Sequence, residues 1–253
     1  MKISVTIITL NESKNLSKCI ESVKSIADEI IVLDSFSTDN TKEIAEQYGA
    51  SVFENKFDGH VQQKNRAVSL AKHELIFSLD ADEWISKELA NEIISIKNSS
   101  EIADGYIIKR KNIFLDKRIY RGVWLREYKI RLFKASKAKW AGLNPHDLIE
   151  MNEGSKVKKL NGGLLHHPYK SINELANQMN KFSEIAAKAY FEKGIKSNTW
   201  KIFLKPIWRF LLSYIFNLGF LDGTRGLILS SSFSYYTFLK YTKLWRLQKE
   251  HDN

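Results

Sequence analysis

The sequence contains a single cysteine, Cys19, among 253 residues. An internal disulfide is therefore excluded, and a reducing compartment fits. Cys19 shares an apolar helical spacing with Leu16, Ile20 and Val23, which predicts core packing rather than nucleophilic chemistry. The apolar run at residues 3–10 is too short for a signal peptide and ends abruptly in polar residues. We therefore expect no export signal and a cytoplasmic protein.

The sequence also lacks a glycine-rich phosphate loop of the GxGxxG or Walker type after its first predicted strand. Because this loop is absent, a dinucleotide-binding or P-loop protein is much less expected. It has no internal repeat and no low-complexity segment. Its 43% apolar and 27% charged residues are ordinary for a folded chain, so overall disorder is not expected.

Acidic residues are scarce near the C-terminus, although the formal net charge of the chain is +10. Between residues 200 and 249 Asp222 is the only acid, whereas eight residues are basic and thirteen are aromatic. This mixture predicts a segment that lies on an anionic membrane surface. A bilayer-spanning helix at residues 202–221 is not expected, because Lys205, Pro206 and Arg209 fall inside it. A buried helical subdomain remains the alternative. Nucleic acid is not expected as a partner, since no zinc-finger spacing or RNA-recognition motif is present.

Strand and helix patterns alternate over the first hundred residues. Strands are predicted at residues 3–10, 29–33, 50–53 and 74–79, with helices between them, which indicates βαβ units and a mostly parallel sheet. Ligands bind at the carboxyl ends of the strands in such sheets. Polar groups collect at those ends, at residues 11–12, 34–39 and 80–83.

Carboxylates at these strand ends carry the candidate chemistry. Asp80 and Asp82 would share a divalent cation and a diphosphate, although most aspartates spaced this way are solvated turn residues. Asp34 would accept a hydrogen bond from a base or ribose. Lys64, between Gln63 and Asn65, would bind phosphate, but a solvated helix face has the same appearance.

Several segments together resemble family 2 glycosyltransferases of the GT-A fold. They are residues 6–12, 34–41, 63–65 and 79–83. Residues 114–116, 131–133, 145–147 and 219–223 are similar to the bacterial branch that adds glucose to the lipopolysaccharide inner core. The resemblance covers nearly the whole chain. It implies a GT-A domain with a nucleotide-sugar-binding half (1–100), an acceptor-binding and catalytic-base half (101–170), and a helical, membrane-associating C-terminal region (171–253).

The resemblance also implies roles for matching residues. The nucleoside would lie against Thr9, Asn11 and Asp34, beside Glu12. Asp80 would contact the ribose or phosphate, and Asp82, with Asp80 beside it, would hold Mg²⁺ or Mn²⁺ on the diphosphate. Lys64 replaces a common arginine and would act as a point charge. On the acceptor side, the resemblance implies that His146 would bind substrate and that Asp147 would be the general base. Arg131 would assist at the diphosphate.

The expected reaction is a single displacement that inverts the anomeric carbon. The donor would be a UDP-sugar and the acceptor a glycolipid, with the enzyme on the inner face of the cytoplasmic membrane. His166 would serve as an extra donor to the diphosphate or metal, with a packing or hydrogen-bonding role as its alternative. Transfer to a polyprenyl phosphate and a non-catalytic, membrane-docked nucleotide-binding protein remain the alternative functions.

Overall fold

The computed structural model describes residues 1–143, 146–169 and 171–252, without the side chains of Leu143, His146 and Asp252. The strands are β1 (Ile3–Thr9), β2 (Glu29–Asp34), β3 (Ser51–Glu54), β4 (Leu75–Asp80), β5 (Glu83–Ile85), β6 (Gly105–Phe114), β7 (Lys117–Arg118), β8 (Tyr128–Lys134), β9 (Ala138–Leu143), β10 (His146–Met151) and β11 (Val157–Tyr169). The helices are α1 (Leu16–Val23), α2 (Thr41–Gln47), α3 (His60–Ser69), α4 (Lys87–Lys97), α5 (Ile172–Glu192), α6 (Thr199–Leu211) and α7 (Gly223–Asp252). The predicted GT-A-like α/β fold with a C-terminal helical region is confirmed.

The chain forms two compact units. The first comprises Met1–Lys111 and Glu127–His166, and the second comprises Asn112–Arg126 and His167–Asn253. Strands β6 and β11 run from one unit into the other. These units are defined by packing, so the three-part functional division of the sequence stays a prediction.

The main sheet has the strand order β3-β2-β1-β4-β8-β6-β11-β5. Its first four strands are parallel, whereas β8 pairs antiparallel with β4 and with β6. The central strands β1 and β4 carry branched or aromatic apolar residues that are buried on both faces, as helix-covered parallel strands require. The register pairs Thr9 with Asp34 and Ile8 with Asp80. Three strands therefore end at the same edge of the sheet.

Helix α1 covers one face of this sheet. Its positions Leu16, Cys19, Ile20 and Val23 are buried, which confirms the predicted packing role of Cys19. Burial, and then the nearby carboxylates, raise the pKa of the Cys19 thiol, so the sulfur stays protonated and unreactive.

The second unit is mainly helical. Helix α5 begins after Ser171, whose hydroxyl accepts the Glu174 N–H at 3.1 Å, and it packs with α7 around a core that includes Tyr169 and Leu175. Helix α6 also packs on α7. Across the described ranges, no helix combines the length and the apolarity needed to cross a membrane.

Candidate active site

The candidate site begins at the shared edge where β1, β2 and β4 end. Two of these strands end in a carboxylate, Asp34 and Asp80, and a third carboxylate, Asp82, follows at once. Asp80 and Asp82 each keep a side-chain exposure of 26%. The edge therefore presents partly open acidic groups at the position expected from the sequence.

Asp34 is buried at this edge, and its carboxylate holds the loop that follows β2. Its carboxylate oxygens accept hydrogen bonds from the Ser37 N–H at 2.7 Å and the Ser37 hydroxyl at 2.5 Å. Asn11 binds the same loop, because its amide oxygen accepts the Thr38 N–H at 2.8 Å. Asn11 and Phe36 both have positive φ, in the left-handed region that residues other than glycine adopt uncommonly. Asp34 is fully buried, so in this structure it fixes the loops, and its contact with a nucleoside stays a prediction.

The two other residues expected near the nucleoside differ in their surroundings. The Thr9 hydroxyl oxygen is buried and has no hydrogen-bond partner in the described structure. Glu12 accepts from the Asn15 side chain at 2.6 Å, and its N–H donates to the Thr41 hydroxyl at 2.8 Å. Glu12 therefore helps to hold the start of α1 against that of α2, and its predicted contact with substrate stays a prediction.

Lys64 joins the strand-end acids to the candidate base. It projects from α3 with only 2% of its side chain exposed. Its ammonium lies 2.7 Å from Asp80 Oδ1 and 2.7 Å from Asp147 Oδ2. The structure thus brings together three residues that are up to 83 positions apart in the sequence.

The pKa values of both carboxyls follow from this bridge. Burial alone would raise the pKa of Asp80, but the charges of Lys64 and then Arg131 outweigh it and hold the pKa far below its usual range. The pKa of Asp147 is likewise raised by burial and lowered more strongly by Lys64, so it also lies below its ordinary value. Both groups are therefore anionic at neutral pH.

The bridge continues into a buried chain of alternating charges. Arg131 donates to Asp80 Oδ2 at 3.0 Å and to Glu83 Oε1 at 2.9 Å. Arg110 contacts Glu83 at 3.1 Å and also pairs with Glu127. The seven groups from Asp147 to Glu127 comprise four acids and three bases, so the chain carries one net negative charge when all are ionised.

Trp140 lies against the two cations nearest the candidate base. Its ring centroid is 4.3 Å from the Lys64 ammonium and 5.1 Å from the Arg131 guanidinium carbon. Asn65 holds the Trp140 backbone from α3, accepting its N–H at 3.0 Å and donating to its carbonyl at 2.9 Å. The indole therefore has a fixed place over both cations, and its π face attracts their positive charge.

Asp82 and His166 form a second pair beside this chain. Asp82 Oδ2 is 3.2 Å from His166 Nε2, because β5 and β11 pair in a register that sets Glu83 opposite His166. Burial would raise the pKa of Asp82, but His166 lowers it more, and the net pKa is below its usual value.

The donor atoms of this pair fit a divalent cation better than Asp80 does. One carboxylate and one imidazole suit Mn²⁺, which accepts both ligand types and leaves positions for phosphate oxygens. Both oxygens of Asp80 are already in ion pairs with Lys64 and Arg131. Within the described residues, no group of three or more histidine, cysteine or acidic side chains is assembled to hold a metal alone. A metal here would need substrate oxygens to complete its coordination.

Sequence reasoning found most of these residues and missed four. Arg131 and His166 lie in the cluster as expected, whereas the side chain of His146 lies outside the described part of the structure. Arg110, Glu127 and Trp140 had no local signal, because each acts through a partner distant in sequence. Glu83 belongs to the segment 79–83 that carries the family resemblance, but the sequence suggested no role for it. Its position directly after Asp80 and Asp82 was a usable hint.

Comparisons with known proteins show the family to which the chain belongs. The family model described as glycosyl transferase family 2 matches residues 4–160. A protein of Rickettsia prowazekii (strain Madrid E), described as an uncharacterized glycosyltransferase, is 33% identical over 100% of this chain and 89% of its own length. A lipopolysaccharide core biosynthesis glycosyltransferase, LpsC of Rhizobium meliloti (strain 1021), is 28% identical over 97% of this chain and 93% of its own. A crystal structure of TarS residues 1–349 from S. aureus covers 99% of this chain and 92% of that chain, with a TM-score of 0.48 and 14% identity.

Proposed function

Because the chain belongs to glycosyl transferase family 2, we propose that it moves a hexose from a UDP-sugar to a lipopolysaccharide or lipooligosaccharide core acceptor with inversion. Glucose is the sugar that we favour, through the resemblance to the inner-core branch. The relative LpsC, named for lipopolysaccharide core biosynthesis, supports the acceptor class at 28% identity. Because the acceptor would be a glycolipid, we also propose that the enzyme acts at the inner face of the cytoplasmic membrane.

One observation carries the proposal: Lys64 brings Asp80 and Asp147 to a single point. Asp80 is the last residue of β4, at the strand ends where parallel sheets bind nucleotides, and Asp147 belongs to the segment predicted to face the acceptor. A transferase needs an anion-binding group and a proton acceptor close to the anomeric carbon. Because both carboxylates lie 2.7 Å from one ammonium, they are close enough to serve one bound donor and its acceptor.

In the proposed mechanism Asp147 accepts the proton of the acceptor hydroxyl as its oxygen attacks the anomeric carbon. The bond from that carbon to the diphosphate breaks on the opposite face, which gives inversion. Lys64 and Arg131 stabilise the negative charge that develops on the departing UDP. The donor diphosphate would also compete with Asp147 for Lys64, and a weaker Lys64–Asp147 pair makes Asp147 a better base.

Asp82 and His166 are the residues that we propose to hold Mg²⁺ or Mn²⁺, with Asp80 nearby. A bound cation would neutralise charge on the diphosphate. The buried chain already carries net negative charge, so added positive charge would favour donor binding.

Replacement of Asp147 by asparagine tests the assignment. The amide keeps the shape of the carboxylate but accepts no proton, so transfer of labelled sugar from UDP-glucose should fall by about 10²–10⁴-fold while donor binding persists. Asp104→Asn is the matched control, because Asp104 is also a partly buried aspartate in a lysine ion pair, 2.9 Å from Lys134. Wild-type turnover in Asp147→Asn would refute the role of the base.

A further inference from the structure

Helix α6 carries its large apolar side chains on the outside. Trp200 is 71% exposed and Phe203 is 63% exposed. The outward apolar residues recur at the spacing of one helical face and continue into the following turns; we call this set the α6 apolar stripe. Its members are Trp200, Phe203, Leu204, Ile207, Trp208, Leu211, Ile215, Phe216, Phe220 and Leu221.

Opposite the stripe, Arg209 of α6 lies 5.7 Å from the Phe233 ring of α7, and the other contacts of α6 and the turns after it with α7 include small and polar groups. The Ser213 and Ser230 hydroxyls are buried and lie 2.7 Å apart. The Ser234 hydroxyl donates to the Pro206 carbonyl at 2.8 Å. In the same bundle, a Cβ added to Gly226 would lie 1.8 Å from the Gly219 carbonyl oxygen. A helix in water normally turns its apolar stripe inward, so this packing is reversed and resembles that of helices in lipid.

Within the segment that carries the stripe, all charged side chains have one sign. Residues 193–221 include Lys193, Lys196, Lys201, Lys205 and Arg209, and no aspartate or glutamate. Lysine and arginine can keep their alkyl stems on an apolar surface while their charged ends reach polar headgroups. Large apolar groups bordered by cations are the two features that an interface of anionic lipid selects.

We propose that the α6 apolar stripe inserts into the headgroup–acyl boundary of an anionic bilayer, with α6 lying in the plane of the membrane. The membrane contact is thereby assigned to one face of the protein and to named side chains. The proposal rests on the proposed function only because the acceptor of that function would lie in a membrane. Lys201 and Lys205 reach the headgroups from the helix, while Trp200, Phe203 and Phe216 enter the acyl boundary.

A second copy of the chain is the less suitable occupant of this face. A symmetric dimer through the stripe would bring two sets of five cations together with no acid in the same segment to offset them. An anionic membrane offers apolar depth and negative charge at once. The stripe therefore matches lipid better than it matches itself.

Vesicle co-sedimentation of the full chain tests the proposal. Vesicles would contain phosphatidylcholine alone, or one part phosphatidylglycerol to three parts phosphatidylcholine. We expect wild-type protein to bind the anionic vesicles, and the variant Trp200→Ser/Phe203→Ser/Phe216→Ser to bind them at least about tenfold more weakly. The control Phe53→Ser/Val157→Ser/Ile172→Ser removes three exposed apolar side chains elsewhere and should bind as wild type does.

A charge variant tests the second half of the proposal. Lys201→Gln/Lys205→Gln should bind anionic vesicles about thirtyfold more weakly, from the attraction that each lysine gains near such a surface. The control Lys139→Gln/Lys188→Gln removes two exposed lysines elsewhere and should retain wild-type binding.

The outcomes separate this proposal from the proposed function. Loss of vesicle binding in the stripe variant, with an unchanged thermal shift by UDP, supports the docking surface. Wild-type protein that ignores anionic vesicles overturns it, as does a stripe variant that binds them fully. A wild-type dimer in light scattering that the stripe variant abolishes also overturns it, in favour of a self-interface. Vesicle binding without any sugar transfer would instead count against the proposed function alone.

Discussion

Replacing Lys64 by methionine would remove the cation that joins Asp80 to Asp147. Methionine keeps much of the apolar stem, so the change isolates the charge. Asp80 would retain Arg131 at 3.0 Å, but the described structure provides Asp147 with no other ion pair. Breaking a buried pair by removing one partner costs about 3–5 kcal/mol. Since Asp147 keeps 12% exposure and can recruit water, we expect about 3 kcal/mol at pH 7.

The stability that Lys64→Met loses should depend on pH in a defined direction. Lys64 lowers the folded-state pKa of Asp147 below its unfolded value of about 3.9. The pair therefore stabilises the folded protein fully at pH values above the unfolded pKa. This stabilisation disappears as pH falls through the lower folded-state pKa. Without Lys64, burial raises the pKa of Asp147, and the variant regains stability as the carboxyl takes up a proton. The difference between wild type and variant should therefore be largest at neutral pH and shrink as the solution is acidified towards the unfolded pKa.

Thermal unfolding at a series of pH values measures this. At pH 7 the midpoint of Lys64→Met should fall by roughly 6–12 °C, from the usual 2–4 °C per kcal/mol for a chain of this size. Lys72→Met is the control, because Lys72 also pairs with a glutamate, at 3.1 Å, but is 77% exposed and should matter little. Equal midpoints for the two variants, or a deficit that grows in acid, would refute the reasoning.

Three further predictions concern Trp140 over the two buried cations, the Asp82–His166 pair, and the close approach of Gly162 to helix α4. Trp140→Leu should lower kcat by about tenfold through displaced cations, whereas Trp140→Phe, which keeps a π face, should restore most of it; equal rates in steady-state kinetics would contradict this. His166→Ala should weaken Mn²⁺ affinity in calorimetry by about tenfold when UDP is present and Asp82→Asn should weaken it at least as much, so unchanged affinity in both would remove them as ligands. Gly162→Ala should lower the unfolding midpoint by several degrees, because its Cβ would lie 2.4 Å from the Leu89 backbone; a wild-type midpoint would show that α4 can shift freely.

The parallel half of the fold could be predicted from sequence because its signals are local. Buried runs such as β1 and β4 are continuous and apolar, and both strands were expected within one residue of their observed bounds. Strands β9 to β11 were not foreseen. Strand β11 is 13 residues long, but its first half is mostly exposed and polar, and its place is fixed by pairing with distant partners rather than by its own pattern.

The candidate site divides in the same way. Asp34, Asp80 and Asp82 could be expected because strand ends are visible in the sequence and gather at one edge. Their ion pairs could not, since the contact between Lys64 and Asp147 depends on how α3 meets β10 in three dimensions. Which acid stays open to a ligand and which is already paired is therefore a property of the folded chain.

The link from Asn65 to residue 140 uses only main-chain atoms of its partner. It does not depend on the side chain carried there, so β9 would keep its anchor with any replacement except proline, which has no N–H to donate. Placement of the backbone and choice of the covering group are thus independent variables. Saturation mutagenesis at this one position offers a way to retune the environment of two buried cations while the scaffold around them stays in place.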